Sequence, residues 1–333
     1  VFMHLLVQIV VFFYLVYHDY FCTFAIVMKV ITSFKQYEAK DSAVAIGFFD
    51  GVHRGHRFLI DQLCTLATER ELDSLIVTFD RHPRQVICTD YVPELLSTHE
   101  EKDALLKQTP VNEIEFLHFT KEMSRLTASD FMQQVLCEKL NVQVLLMGYD
   151  HRFGHNGGTP DDYIRWGREF GMEVLMAQEL PDGKVSSSRI RNLLKEGELE
   201  TANALLGRSY TLDGMVVEGH KVGPTMEFPN ANLQLNPEKL LPAKGVYAVR
   251  CTTADGDHLN GVLNIGNRPT IGNGDDISVE VHLLHYTGDL YGQQVQLELE
   301  KRIRCEMGFA SKEELRQQIV EDIASAQKIL LCP

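Results

Sequence analysis

Residues 42–79 read SAVAIGFFDGVHRGHRFLIDQLCTLATERELDSLIVTF and carry the clearest fold signal in the chain. SAVAIGF (42–48) is a short apolar run ending at a glycine turn, the pattern of a buried strand. HRFLIDQLCTLATEREL (56–72) sets Phe58, Leu59, Leu63, Leu66 and Ala67 on one face of a helix. DSLIVTF (73–79) is the next strand. Strand, glycine turn, helix and strand make a βαβ unit, which implies a parallel sheet with a right-handed crossover.

Within that unit, GFFDGVHRGH (47–56) gathers three glycines, an aspartate and two histidines spaced i, i+3. It stands at the carboxyl end of a strand and the amino end of a helix, where open α/β sheets bind ligands. The exposed N–H groups and dipole of a helix terminus attract phosphate, typically by ~0.3–1 kcal/mol. His53 and His56 both fall on the first turn and can donate to phosphate oxygens, with Gly55 letting a nucleotide approach the backbone between them. The plainer alternative is a glycine turn carrying two surface histidines.

The alternation continues downstream. TASDFMQQVLCEKL (127–140) opens with Thr127 and Asp130 in a near capping box and leads to the strand VQVLLMG (142–148). TPDDYIRWGREFG (159–171) has Thr159 as N-cap and Pro160 at the first helical position, followed by the strand EVLMA (173–177). Two short helices then run to Gly207. From there SYTLDGMVVEG, KGVYAVRC, LNGVLNIG, ISVEVHLLHY and QQVQLELE are short strands between turn residues, the spacing of a small antiparallel barrel. A last helix (311–330) opens with a Ser311–Glu314 capping box. The expected division is therefore residues 28–207 as an α/β domain and 208–333 as a β-barrel domain with a terminal helix.

Composition narrows the function classes. At 333 residues, with 44% hydrophobic and 23% charged, the chain is of ordinary globular make-up and long enough for two cores. A formal net charge of -14 argues against a nucleic-acid partner, which needs a basic stripe. The seven cysteines show no CxxC pair and fit reduced thiols in a cytoplasmic protein. Residues 1–27 are almost wholly apolar but lack basic flanks, Lys29 being the first lysine. Translation is expected to start at Met28, the preceding residues being a gene-start error; a short membrane anchor is the other reading.

HxGH after a first strand resembles the nucleotidylyltransferase superfamily, and FDGVHRGH resembles the prokaryotic bifunctional riboflavin kinase/FMN adenylyltransferases. Further matches follow in order: MGYDHRFGHNGG (147–158), VSSSRIRNLL (185–194), FPNANL (228–233), GVYAV (245–249), NIGNRPT (264–270), VEVHLL (279–284) and LYG (290–292). The resemblance spans about residues 28–330. It implies a Rossmann-like first domain that transfers AMP from ATP to FMN, giving FAD and pyrophosphate, and a barrel that phosphorylates riboflavin with Mg²⁺-ATP. By the same resemblance His53 and His56 act on the ATP phosphates, and Gly47, Phe49, Asp50 and Gly55 complete the nucleotide loop. Ser187, Ser188 and Arg191, in a run similar to the family's SSTxIR signature, meet the triphosphate. His82, Asp150 and Phe153 belong to the flavin side, although Phe153 reads equally as core. Glu280 matches the family's general base, and an alternating strand puts it on the face opposite Val279, Val281 and Leu283. Rival members of the superfamily, acting on pantetheine or choline phosphates, have no place for NIGNRPT or VEVHLL. A barrel that senses flavin without phosphorylating it is a further alternative.

One loop departs from the family pattern, which reads close to GRxxGFPTAN. Here GPTMEFPNANL (223–233) keeps Gly223 and Asn232 but carries Pro224 for arginine, Glu227 for glycine and Asn230 for the threonine that helps hold Mg²⁺. Asn230 still offers a hard amide oxygen. A carboxylate such as Glu227 within about 5 Å of a phosphate charge, at an effective dielectric of about 20, is repelled by about 3 kcal/mol. The departures predict a slowed kinase half; the alternative is a chain that only adenylylates. Elsewhere, Trp166 with Tyr163 and Phe170 reads as core packing. EKD (101–103) and KEEL (312–315) read as solvated helix faces.

Overall fold

β1 (Ser42–Ile46) is buried along its whole length and pairs in parallel on both sides, with β2 (Asp73–Phe79) and β4 (Val142–Met147). The computed structural model describes residues 40–88, 90–148, 151–218, 230–267 and 277–331. Residues 1–27, Asp150, Gly223, Pro224 and Glu227, singled out above, lie outside the described residues. By contacts the chain divides into two compact units, one holding residues 1–93 and 99–184, the other 94–98 and 185–333.

The first unit is built on a five-stranded parallel sheet ordered β3-β2-β1-β4-β5, where β3 is Glu113–Leu117 and β5 is Glu173–Met176. Side chains of β1 alternate between its faces. Ala43 and Ala45 pack with Ile60 and Leu63 of α1 (Arg54–Glu69). Val44 and Ile46 pack with Phe131, Met132 and Tyr163 on the other face. Helices on both sides explain why β1, β2 and β4 read as largely apolar runs. The chain moves from β1 to β2 and β3 on one side, then crosses back to β4 on the other, so the strand order reverses between β1 and β4. Such a switch point opens a crevice at the carboxyl ends of the strands, and GFFDGVHRGH leaves β1 there.

The remaining helices of this unit follow their local signals. α2 (Pro83–Ile87) and α3 (His99–Lys107) lie between β2 and β3. Thr127 caps α4 (Ala128–Asp130), which runs on as a π-helix over Phe131–Cys137. Thr159 and Asp162 form a capping box on α5 (Pro160–Phe170). Trp166 and Phe170 pack against the core beside Tyr163, as their spacing predicted.

The second unit is a closed antiparallel barrel ordered β10-β7-β6-β11-β8-β9. Its strands are β6 (Tyr210–Val217), β7 (Ala231–Leu235), β8 (Gly245–Thr253), β9 (His258–Asn267), β10 (Ile277–Leu283) and β11 (Gln294–Cys305). Register shifts in β11 at Leu299/Lys301 and Arg302/Arg304 bend this long strand, as bulges do where a sheet must curve. α6 (Ser187–Glu196) and α7 (Leu199–Leu206) bury Ile190, Leu194, Leu199, Ala202 and Leu206 in the barrel's own core cluster. The contact boundary thus falls at 184/185, ahead of the division expected at Gly207. Residues 94–98 are stitched in as well. Leu95 N donates to Glu238 O at 2.7 Å, Leu240 N donates to Leu95 O at 2.9 Å, and the buried Lys239 donates to Leu96 O at 2.8 Å.

α8 (Lys312–Leu331) closes the second unit, with Ala326 and Leu330 against Ala248. Glu313 and Glu314 in KEEL are exposed, as expected. Arg304 forks onto Asp322, whose residue is 3% exposed, through bonds of 2.8–3.1 Å. Arg304 is itself partly exposed, so D322A removes charge-assisted hydrogen bonds without stranding a buried charge. It is expected to destabilise the second unit by about 1.5–3 kcal/mol, measured by denaturant unfolding. Among the described residues no helix is long and apolar enough to cross a membrane.

Candidate active sites

The turn between β1 and α1 is held in an uncommon backbone conformation. Phe49 has φ 53°, Gly51 φ 78° and Val52 φ 37°. Left-handed backbone at non-glycine residues costs ~1–3 kcal/mol each and persists where the surroundings over-determine it. Here Phe49 and Val52 are buried in the core cluster beneath the turn. His53, 3% exposed, is the N-cap of α1, and its Nδ1 accepts the backbone N–H of His56 at 3.2 Å. A neutral His53 ring must then carry its proton on Nε2, which makes that nitrogen a donor. The His53 and His56 rings stack at 3.6 Å and 13°.

His56 is supported from the side by Phe49, ring to ring at 5.2 Å. Burial, then repulsion from His53, His151 and Lys102, holds its pKa well below the ordinary 6.5. Its ring is neutral at physiological pH and offers a hydrogen without a fixed charge. His56 Nδ1 is buried with no hydrogen-bond partner among the described residues, the condition of a polar atom that awaits a ligand or water. Gly47 is closely fitted: a Cβ there would sit 3.1 Å from the Phe49 ring, which would have to give by a few tenths of an ångström. Asp50 is buried beside the turn, and Gly55 lies within the first turn of α1.

His82 belongs to the neighbouring strand exit. It caps α2, with Nδ1 accepting from Arg84 N, and its ring meets Phe48 at 4.9 Å and Tyr91 at 5.4 Å. Asp80, two residues earlier, accepts from Phe119 N at 3.2 Å and meets His118 Nδ1 at 2.5 Å. Phe153 packs against Phe131 and Tyr163, and the Tyr163 hydroxyl donates to its carbonyl at 2.9 Å. It sits half-buried against the core.

Ser187, Ser188 and Arg191 stand on α6, in the second unit. Ser186 caps this helix by accepting from Arg189 N, and Arg191 Nε donates to Glu94 O at 2.8 Å. Lys195 pairs with the Glu94 carboxylate from the same helix.

In the barrel, Val279, Val281 and Leu283 of β10 are buried while Glu280 and His282 alternate with them. Glu280 lies directly opposite Asn232 of β7 and Asn264 of β9. Residues directly opposite across strands share a face, so the carboxylate stands in a row between two amides. Asn230, just before β7, donates its amide to Glu280 Oε2 at 3.4 Å.

The FAD synthetase family model matches residues 35–189, and the riboflavin kinase family model matches residues 206–330. The bifunctional riboflavin kinase/FMN adenylyltransferase of Escherichia coli K12 is 36% identical over 303 residues, covering 90% of this chain and 96% of that protein. The chain belongs to the bifunctional riboflavin kinase/FMN adenylyltransferase family. The Bacillus subtilis member is 37% identical over 296 residues, covering 86% of this chain and 92% of its own length. A crystal structure described as the macrolide-efflux protein from Streptococcus pneumoniae aligns at TM-score 0.78 and 29% identity, over 87% of this chain and 95% of that one. Each half of the family's name has its own matching domain in this member.

Sequence reasoning missed several neighbours of these sites. EKD (101–103) read as a solvated face, yet Glu101 and Lys102 are buried. The reason is long-range: α3 starts beside the ends of β1 and β2, whose carbonyls receive the Lys102 ammonium. Asp80 and His118 meet only once β2 and β3 pair. Asn264 lay inside the quoted NIGNRPT run, but its place beside Glu280 depends on strand register.

Proposed function

We propose that the first unit transfers AMP from ATP to FMN at the turn of residues 47–56. An oxygen of the FMN phosphate forms a bond to the α-phosphorus of ATP, the bond to the β-phosphate oxygen breaks, and pyrophosphate leaves. The nucleophile is already an anion, so the site needs alignment and charge stabilisation rather than a base. The stacked pair of His53 and His56 at the N-terminus of α1, at the sheet's switch point, carries this reading. The helix terminus and the imidazole N–H groups stabilise charge on the α-phosphate and the leaving group. His82 and the half-buried Phe153 are assigned to the flavin side.

The second unit phosphorylates riboflavin. Glu280 takes the proton of the 5′-hydroxyl as its oxygen attacks the γ-phosphorus of ATP and ADP departs. Mg²⁺ enters with ATP. Among the described residues no cluster of three or more His, Cys, Asp or Glu could hold a metal ion. Mg²⁺ takes oxygen ligands and is ordinarily held by one or two carboxylates plus substrate phosphates. Asn230, whose amide nitrogen donates to Glu280, and Asn232, opposite Glu280, would hold it by turning their amide oxygens to the ion. Bound there it would neutralise phosphate charge. Chromatography of products, started separately from riboflavin and from FMN, tests both halves. Absence of FAD from an FMN start removes the first assignment, and absence of both FMN and FAD from a riboflavin start removes the second.

The loop with Pro224, Glu227 and Asn230 is assigned to the nucleotide of the kinase half. Restoring the family residues together (P224R, E227G, N230T) is expected to lower KM for ATP in riboflavin phosphorylation by up to about a hundredfold, the repulsion of one carboxylate being about 3 kcal/mol. An unchanged KM assigns these departures no electrostatic role.

A further inference from the structure

A buried ammonium lies beneath both loops of the first unit's crevice, and the mechanism above does not use it. Lys102 is 2% exposed. Its Nζ donates to Phe79 O at 2.8 Å and to Phe48 O at 3.2 Å. Phe79 ends β2, and Phe48 lies two residues beyond β1, so one ammonium ties the exits of two neighbouring parallel strands. The rings of Phe48 and Phe116 flank it at 4.0 and 5.6 Å. Burial pulls its pKa down to about 8, against the attraction of Asp50 and Asp80.

A leucine would fill this volume without desolvating a charge, whereas a buried ammonium costs several kcal/mol unless it is well bonded. What Lys102 adds is a fixed point. Downstream of Phe48 come the left-handed residues Phe49, Gly51 and Val52, then His53. Downstream of Phe79 come Asp80 and His82. Small displacements of either exit would be carried directly to the histidine pair or to His82.

We propose that Lys102 is a positioning residue for adenylyl transfer, its ammonium holding the Phe48 and Phe79 carbonyls so that the histidine pair stays aligned on the phosphates. The inference rests on the assignment of adenylyl transfer to this turn. In the full chain, K102M keeps side-chain length and removes both hydrogen bonds. The expected result is a kcat for FAD formation lowered by about 10- to 100-fold, as for a misplacement near 1 Å, with KM for ATP within about threefold. Riboflavin phosphorylation by the same preparation stays at the wild-type rate. K102Q, whose amide keeps a neutral donor, recovers part of the loss and decides the matter should K102M lose its cooperative thermal transition. A kcat within about threefold of wild type in both variants overturns the proposal, and so does a loss confined to KM, which marks a binding contact instead. H53A/H56A assayed alongside separates the two readings. If it abolishes FAD formation while the Lys102 variants do not, only the Lys102 inference falls. If it leaves FAD formation intact, the adenylyl-transfer site falls and the inference with it.

Discussion

Replacing His53 and His56 together by alanine is expected to lower FAD formation from FMN and ATP by about 10³- to 10⁴-fold, with riboflavin phosphorylation unchanged. Removing one preorganised donor from a site of developing charge typically costs ~10²–10³ in kcat. The two rings stack at 3.6 Å, and His53 Nδ1 accepts the backbone N–H of His56, so they act as one unit and their losses should not multiply. His53 also caps α1, and loss of a cap costs about 0.5–2 kcal/mol of stability. H53N, which keeps a capping oxygen, separates that contribution from the chemistry. The measurement is initial FAD formation at saturating ATP, with thermal unfolding of each variant. FAD output within tenfold of wild type in the double variant would contradict the assignment.

E280Q is expected to lower riboflavin phosphorylation by about 10²- to 10⁴-fold, the range of a lost general base. Glutamine keeps the volume and a hydrogen-bonding head between Asn232 and Asn264 but cannot accept the hydroxyl proton at neutral pH. FAD formation from added FMN should continue at the wild-type rate, while FAD from riboflavin falls with the first step. That contrast distinguishes a lost base from a damaged fold. Equal loss from both starting flavins would point to a structural defect and remove the assignment.

The parallel sheet was legible because β1, β2 and β4 are almost wholly buried and read as largely apolar runs. Helix starts were legible where the signal is local chemistry, as at Thr127, Thr159 and Pro160. β3 was not read, since EIEFL (113–117) alternates charge with apolar residues and gives no buried-strand run. α6 and α7 read as the end of the first half because they follow its last strand; their apolar residues Ile190, Leu194, Leu199 and Leu206 pack in the barrel core instead. Nothing local distinguishes those two destinations. The histidine pair was legible from its setting between strand and helix. Lys102 was not, because a charged triplet on a helix carries no sign of the strand-end carbonyls that bury it.

The stitching of residues 94–98 into the barrel unit bears on any attempt to dissect this enzyme. A stand-alone kinase fragment beginning at 208 would leave behind both α6 and α7 and the short segment that pairs with Glu238 and Leu240. It would present raw apolar surface where Leu194, Leu199 and Leu206 had been. A transferase fragment ending at 184 would keep residues 94–98 as an orphaned tether with nothing to pair against. The practical cut therefore lies at 184/185, with the missing five residues supplied to the barrel piece as a separate peptide and bridged by a spacer in the other.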